Sequence, residues 1–534
     1  MSRKKSGLCS PRRAIRITPI NDVAQKKRKR EKAKSGSKKT ASPRNFQPQS
    51  QSQPTIIPPA AQKTASGGPQ MQVNEALKLA VTKQREGKVD EAEHLYGKIL
   101  QVAPENHVAL HYLSVIRHQK GDNAQAVQLI LKAIQAKPDW GEAYYNMAVF
   151  FRTMNEPGKA LKVCEEGLKN CPESGQLYNM IGLLLYSTGH AMKGLPYLQK
   201  AVELRSEMKE AQNNLGLCYY ALAKYDEAIK CYDRAVEIDP QYAEAYNNKG
   251  AVYLALGRIK DSLAEQDKAL ECRPEYPEAL NNRGTCLRHL ERFNEAIDSY
   301  KKALEIKPDF IDVLGNLPNL LQAMGRLDEA YEAYREALRV GPGEVNVHSN
   351  YLMCLHYMMG ISREEIFREH REWDRTHCTG LKPEGGVKFN NSRDPDRKLR
   401  VGLVSGNFRR HPVGYMILPA LDTTDRDNVE FYGYTAAMKG TDDFTRRISQ
   451  NCVSWRTIEG LTDPQAAQLF RKHEIDILID LSGHSEGGRL RAFAARSAPV
   501  QLEWVGGLFD TSGITEMDWI LGDPVEIPEG DEKW

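Results

Sequence analysis

The chain has 534 residues, of which 41% are hydrophobic and 27% charged, with a formal net charge of +4. Its length suits two or three structural regions, and no apolar run approaches the ~20 residues a membrane span needs. Ten cysteines are scattered without a CxxC pair or metal-ligand spacing, which argues against a structural zinc site and for a reduced, intracellular compartment, cytoplasmic in the first instance.

The charge is unevenly spread. Residues 1–45 hold 16 Lys/Arg and two acids, a net of +14, leaving −10 for residues 46–534 out of the overall +4. The basic residues centre on Lys26-Lys27-Arg28-Lys29-Arg30 with Lys32 and Lys34, and residues 46–70 are rich in Gln, Ser, Pro and Ala. No apolar stretch follows the basic residues as in a secretory signal. Neither stretch can bury a core, so 1–70 is expected to be a disordered basic tail. Such a tail suits a nuclear address, an acidic partner, or plain solvation.

From Met71 to Pro342 the sequence repeats every 34 residues. Proline falls at Pro104, Pro138, Pro172, Pro240, Pro274, Pro308 and Pro342, with Ser206 in the one gap. Small residues recur at Ala80, Ser114, Ala148, Gly182, Gly216, Gly250 and Gly284, where Pro318 breaks the series, and again at Ala92, Ala126, Ala160, Gly194, Ala228, Ser262, Ala296 and Ala330. Two small-residue phases and a terminating proline describe a pair of closely packed antiparallel helices, eight times over. This is the tetratricopeptide pattern, whose units bury apolar surface only against their neighbours and stack into a solenoid. Pro318, inside a first helix, should kink or shorten it. Six positions into most units, on the helix expected to face the concave groove, stand Asn146, Asn214, Asn248, Asn282, Asn316 and Asn350; Lys78, Tyr112 and Met180 interrupt the ladder. A primary amide both donates and accepts, so the ladder could hold the backbone of an extended peptide; alternatively it could bond neighbouring helices to one another.

Residues 343–378 continue as a helical connector, Val345–Tyr357 and then a helix capped by Ser362 with Glu365. Residues 379–397, rich in Pro, Gly and Asn, form a linker. From 398 onwards the period changes. Strand-like runs at Leu399–Val404, Val429–Tyr434, Ile475–Asp480, Val500–Val505 and Trp519–Leu521 alternate with helical patterns at Val413–Leu421, Phe444–Gln450, Pro464–Lys472 and Arg489–Ala495. Alternation predicts a parallel α/β sheet whose ligands sit at the carboxyl ends of its strands.

Three clusters follow predicted strands: Asn407 to Tyr415, containing Arg409, Arg410 and His411; Asp480 to Arg489, containing His484; and Trp504 to Gly513. A histidine after a strand is usually structural, but two such loops on one sheet edge bring the functional reading level with it. No phosphate-binding glycine loop, hydrolase acid pair or metal-ligand set is present at recognisable spacing.

Together these features resemble one family. They are the Asn-bearing solenoid; His348 to Leu352 with Ile361 to Trp373; the strand Leu399–Ser405 followed by Phe408 and His411-Pro412-Val413; Asp476 to Asp480 running into Leu-Ser-Gly-His484; and Arg489-Leu, Phe493-Ala and Ala498-Pro-Val-Gln501 with Trp504. The family is the tetratricopeptide-bearing O-linked N-acetylglucosamine transferases and their SPINDLY-like and bacterial relatives. The resemblance implies an α-solenoid followed by a Rossmann-like lobe, the first half of a glycosyltransferase B fold. It implies metal-independent inverting transfer from a nucleotide sugar (UDP-N-acetylglucosamine, or GDP-fucose in one branch) to Ser/Thr hydroxyls of proteins held in the groove. On this resemblance His411 is the catalytic histidine, accepting the hydroxyl proton, while Asp480 and His484 shape or polarise the site. The sequence departs from the family at Asn407, usually Asp; at Arg496-Ser497-Ala498-Pro499, usually Arg-Pro-Ala-Pro; and at Gly506-Gly507-Leu508-Phe509, usually Gly-Tyr-Pro. The family's nucleotide-holding second lobe would lie beyond Trp534, so the 534 residues by themselves are expected to bind peptide but neither bind nor transfer sugar. The alternative is a non-catalytic repeat adaptor.

Overall fold

The computed structural model describes residues 69–436, 440–485, 487–504 and 511–522. The expectation for the tail at 1–70 therefore lies outside them, apart from its last two residues, which open the first helix. The chain divides into two compact units, whose described parts are Pro69–Ile306 and Lys307 onwards.

The first unit is seven helical hairpins. They are α1 (Pro69–Arg85) with α2 (Val89–Val102), α3 (His107–Gln119) with α4 (Asn123–Ala136), and α5 (Gly141–Thr153) with α6 (Pro157–Asn170). Then come α7 (Gly175–Ser187) with α8 (Ala191–Leu204), α9 (Lys209–Ala221) with α10 (Tyr225–Ile238), α11 (Ala243–Ala255) with α12 (Ile259–Cys272), and α13 (Pro277–His289) with α14 (Phe293–Ile306). The 34-residue small positions are where the paired helices touch. A Cβ on Gly216 would lie 2.6 Å from the Tyr232 ring, one on Gly284 2.6 Å from Tyr300, and one on Gly182 2.4 Å from Leu198. In the fourth such slot Gln266 lies over Gly250 and donates to Asn247 O at 3.0 Å, while Ser262 Oγ reaches Gly250 O at 2.7 Å. The gap at Ser206 shows that proline does not end the units alone: α8 stops at Leu204 as its siblings do.

A second 34-residue series sets the hairpin turns. Gly87, Gly121, Asn155, Gly189, Ala223, Gly257, Glu291 and Gly325 all have positive φ, between 56° and 83°. Each turn reverses the chain through one left-handed residue, which glycine adopts without strain.

The second unit opens with α15 (Ile311–Ala323) and α16 (Leu327–Val340), then α17 (Val345–Tyr357) and α18 (Arg363–Cys378). Pro318 does not shorten α15, which runs for 13 residues like the first helices α3 to α13. Ser362 Oγ caps α18 by accepting from Glu365 N at 3.1 Å. The α/β lobe follows: β1 (Leu399–Ser405), α19 (Pro412–Thr423), β2 (Val429–Thr435), α20 (Asp443–Gln450), β3 (Ser454–Thr457), α21 (Asp463–Lys472), β4 (Ile477–Asp480), α22 (Leu490–Ala494), β5 (Val500–Trp504) and β6 (Trp519–Leu521). The six strands are parallel, in the order β3-β2-β1-β4-β5-β6. Strand β3 has no counterpart among the predicted strands; it is a four-residue edge strand, half exposed and without an apolar run. Val401 and Leu403 face Val413, Ile417 and Leu421 of α19 and Ile448 of α20. On the opposite face Gly402 lies under Leu478, and Tyr434 meets Phe470 of α21 at 4.7 Å. The sheet is thus covered on both sides, as parallel sheets are.

Candidate functional site

In this strand order the chain leaves β1 towards β2 and β3, and leaves β4 in the opposite direction towards β5 and β6. The loops after β1 and β4 therefore diverge and leave a crevice at the carboxyl edge, where doubly wound sheets hold ligands. Its floor is hydroxyls and backbone. Ser405 Oγ lies 3.1 Å from Ser482 Oγ, Gly406 N donates to Ser482 Oγ at 3.2 Å, and Asn407 N donates to Ser405 Oγ at 2.9 Å.

On the β1 side His411 is the N-cap of α19. Its Nδ1 accepts from Val413 N at 3.3 Å and its own N–H reaches Arg409 O at 2.7 Å. Gly414 is required here, since a Cβ would lie 2.1 Å from Arg409 O. Partial burial, and then the Arg409 charge, hold the His411 pKa below its ordinary value. Arg410 turns to α20: its guanidinium pairs with Asp443 at 2.8 Å and its N–H reaches Asp442 at 2.6 Å. Tyr415 and Met416, about half exposed, extend this wall, with Tyr415 against Phe444 at 4.5 Å.

On the β4 side Asp480 is completely buried. Its Oδ2 accepts from Gly483 N at 2.6 Å and so closes the turn, while Oδ1 has no partner among the described residues. Burial outweighs the backbone N–H groups and pushes the carboxyl up to about 7. Glu503, also buried, is its neighbour in register on β5.

His484 is not open to a ligand. It is buried, with Nε2 3.0 Å from Ser512 O and 3.2 Å from His370 Nδ1, Nδ1 3.4 Å from Ser349 Oγ, and its ring 4.7 Å from Trp373. A carbonyl can only accept, so His484 donates from Nε2 to Ser512 O and receives at Nδ1 the Ser349 hydroxyl, which itself accepts from Trp373 Nε1 at 3.1 Å. Around it lie His356, whose Nε2 is 3.1 Å from His370 Nε2, and the pair His348 and His377, 3.0 Å apart. Burial lowers His484, His356 and His377 to about 4 and His348 to about 3, and puts His370 well below its usual range.

The connector helices are thus keyed to the lobe. Arg371 Nη1 donates to Gly513 O and Thr515 Oγ1, both at 2.8 Å. Asp374 takes the Thr515 hydroxyl and Lys382, each at 2.7 Å. Gly513, at φ 72°, lies so close to α18 that a Cβ would stand 2.4 Å from His370 O. The sequence reading of α17 and α18 as a connector missed this role. The available signal was composition: four of the 13 histidines fall between His348 and His377. Of the third predicted cluster, Trp504 and Thr511 to Gly513 are described, and residues 505–510 lie outside the described residues.

The ladder asparagines engage their neighbours in the fold. Asn214, Asn248 and Asn282 donate from Nδ2 to Asn179, Asn213 and Asn247 at 2.9, 2.8 and 2.9 Å, and Asn146 Nδ2 lies 2.6 Å from His111 Nε2. In the second unit Asn350 donates to Asn319 at 2.9 Å, and Asn316 is half-buried. One N–H of each of these five amides therefore holds an adjacent helix. Asn248 Oδ1 also accepts from Asn247 Nδ2 at 3.3 Å, so the groups left for a peptide are the other N–H of each and the carbonyl oxygens of the other four.

A model of glycosyl transferase family 41 matches residues 347–532, beginning in α17, and tetratricopeptide repeat models match segments from 84 to 342. The chain is 29% identical over 182 residues to the probable UDP-N-acetylglucosamine–peptide N-acetylglucosaminyltransferase SPINDLY of Petunia hybrida, covering 34% of this chain and 19% of that protein. It is 31% identical over 133 residues to the UDP-N-acetylglucosamine–peptide N-acetylglucosaminyltransferase of Caenorhabditis elegans, covering 25% and 12%. A solved Thermobaculum terrenum O-GlcNAc transferase variant aligns with 31% identity and a TM-score of 0.47, covering 54% of this chain and 55% of that one. The match to the SPINDLY relative thus spans about a fifth of its length.

Proposed function

We propose that this chain, a tetratricopeptide-repeat protein carrying a glycosyl transferase family 41 domain, acts in protein O-glycosylation. In this reading a sugar, N-acetylglucosamine by the printed names of the relatives, passes from a nucleotide sugar to Ser/Thr hydroxyls of proteins that the repeats hold. One observation carries it: within the segment matching family 41, the sheet's switch point brings the His411 loop and the Asp480 loop to one crevice. His411 is the member of the predicted catalytic trio that can meet a ligand. Asp480 closes the turn after β4 through Gly483 N, and His484 holds Ser512 O. No metal is assigned a part; among the described residues no group of three or more His, Cys, Asp or Glu could hold an ion. The remaining amide groups of Asn146, Asn214, Asn248, Asn282 and Asn350, with Asn316, would bind client backbone.

The test is made in cells that produce the protein. Clients captured by the tagged protein are searched by mass spectrometry for Ser/Thr-linked hexosamine or deoxyhexose, with the gene intact and disrupted. A sugar that disappears on disruption supports the reading, and its mass chooses between N-acetylglucosamine and fucose. Clients captured without any gene-dependent sugar would reject transfer and leave a repeat adaptor.

A further inference from the structure

The sequence reading makes His411 a base; the geometry around its ring points elsewhere. Nδ1 receives the N–H of Val413. An amide N–H cannot accept, so Nδ1 presents its lone pair, and a neutral imidazole must then carry its proton on Nε2. The cause lies in the sequence His411-Pro412-Val413. Proline at the first helical position has no N–H, so Val413 supplies the first free amide of α19, and the imidazole fills the N-cap place usually taken by Ser, Thr, Asp or Asn. The other tautomer would set two N–H groups against each other.

Charging the ring fully is opposed as well. It sits at the positive end of the α19 dipole. The charged group facing it from its own loop is Arg409, and the acids at the start of α20, Asp442 and Asp443, are engaged by Arg410. Among the described residues Nε2 has no partner.

We infer that His411 meets its ligand as a hydrogen-bond donor, offering Nε2–H to a negatively charged ligand oxygen, and that no proton passes through it. This rests on the reading of the crevice as a sugar-transfer site, and names the diphosphate of a nucleotide sugar as the chemistry that would receive the bond. A neutral imidazole held by a helix N-terminus is a known way to place such a donor.

Selective ¹⁵N-histidine labelling of the full chain tests it. Signals assigned through His411→Gln are expected to show a pyridine-like Nδ1 and a pyrrole-like Nε2 at pH 8, and to titrate below the ordinary imidazole value. A protonated Nδ1, or titration near or above pH 6.5, overturns the donor assignment whatever the chain does to sugars. UDP-N-acetylglucosamine, UDP and inorganic diphosphate are then added in turn. Movement of the Nε2 signal with the nucleotides supports the ligand and overturns the expectation that the 534 residues by themselves bind no sugar nucleotide; the expected tautomer with no response to any of them overturns the diphosphate as its ligand on this chain. In the transfer assay His411→Ala is expected to fall about 10²–10³-fold, as for loss of one positioned donor. His411→Gln, which keeps an N–H and cannot titrate, should remain within about tenfold of wild type. Equal loss in both would show that the ring, not its N–H, matters.

Discussion

Asn248 shows how one residue can serve fold and function together. Its Nδ2 donates to buried Asn213 Oδ1. Asn248→Ala should therefore leave an unsatisfied buried carbonyl and lower stability by about 1–3 kcal/mol. Asn350→Ala should stay within about 0.5 kcal/mol, because exposed Asn319 keeps the Tyr334 hydroxyl at 2.6 Å. Urea midpoints of the two variants decide it, and an unchanged Asn248→Ala would mean the bond contributes nothing. The bonding partners were legible: Asn213-Asn214 and Asn247-Asn248 are adjacent pairs, and the first member of each accepts from the ladder Asn of the following unit. His484 was not legible in the same way. Its neighbour His370 stands 114 positions earlier, and no local pattern joins them. Asp480 gives a residue-scale pH effect. With its carboxyl held at about 7 against an ordinary 3.8, the folded state keeps a proton that the unfolded chain releases. Its contribution is present at low pH and lost as pH rises through 7. Asp480→Asn should then gain on wild type between pH 5 and pH 8, by about 2–3 kcal/mol. Urea midpoints that shift equally at both pH values would refute this.

At the level of elements, the 34-residue period predicted which helices exist and where they touch, because small residues and prolines are constrained by contact and by backbone chemistry. The turns obey the same period but can be read less easily, because three of eight left-handed positions carry other residues. Ala223 and Glu291 hold φ of 56° and 59°, a conformation costing about 1–2 kcal/mol for a residue with a Cβ. Nothing stands within 4 Å of a Cβ built on Gly87, Gly121, Gly189, Gly257 or Gly325, so backbone strain is what distinguishes the positions. Ala223→Gly and Glu291→Gly should each stabilise the chain by about 0.5–1 kcal/mol, the relieved strain being partly offset by a freer unfolded chain. Calorimetry on the single and double variants tests this, and two lowered melting temperatures would show the strain to be absent. Strand β3 escaped the sequence reading for the converse reason. Ser454 to Thr457 lies at a sheet edge and buries little, so neither alternation nor an apolar run marks it.

For the molecule as a whole, the two units should answer acid differently. From Lys307 onwards the second unit buries His348, His356, His370, His377 and His484 in one region, each held neutral by burial. In the first unit, burial leads in lowering His111 to about 3 and His107 by less. Below about pH 6.5 an unfolded chain binds protons that these buried rings refuse. Stability therefore falls as pH drops from about 6.5, and the loss is complete only near the folded values of about 3 to 4. Asp480 works with the opposite sign in part of this window, but as one group against five. The affected contacts are local: His484 to Ser512, and the packing of α18 that holds Arg371 on Gly513 and Thr515. Hydrogen exchange, corrected for intrinsic rates, should show α17, α18 and residues 511–516 losing protection between pH 7.5 and pH 5 while α5 to α14 keep theirs. His356→Gln, at the half-buried end of the row, should reduce that loss by removing one proton acceptor from the balance. Protection in α18 that is as high at pH 5 as at pH 7.5 would mean the histidines take up protons without strain, and that their clustering is packing alone.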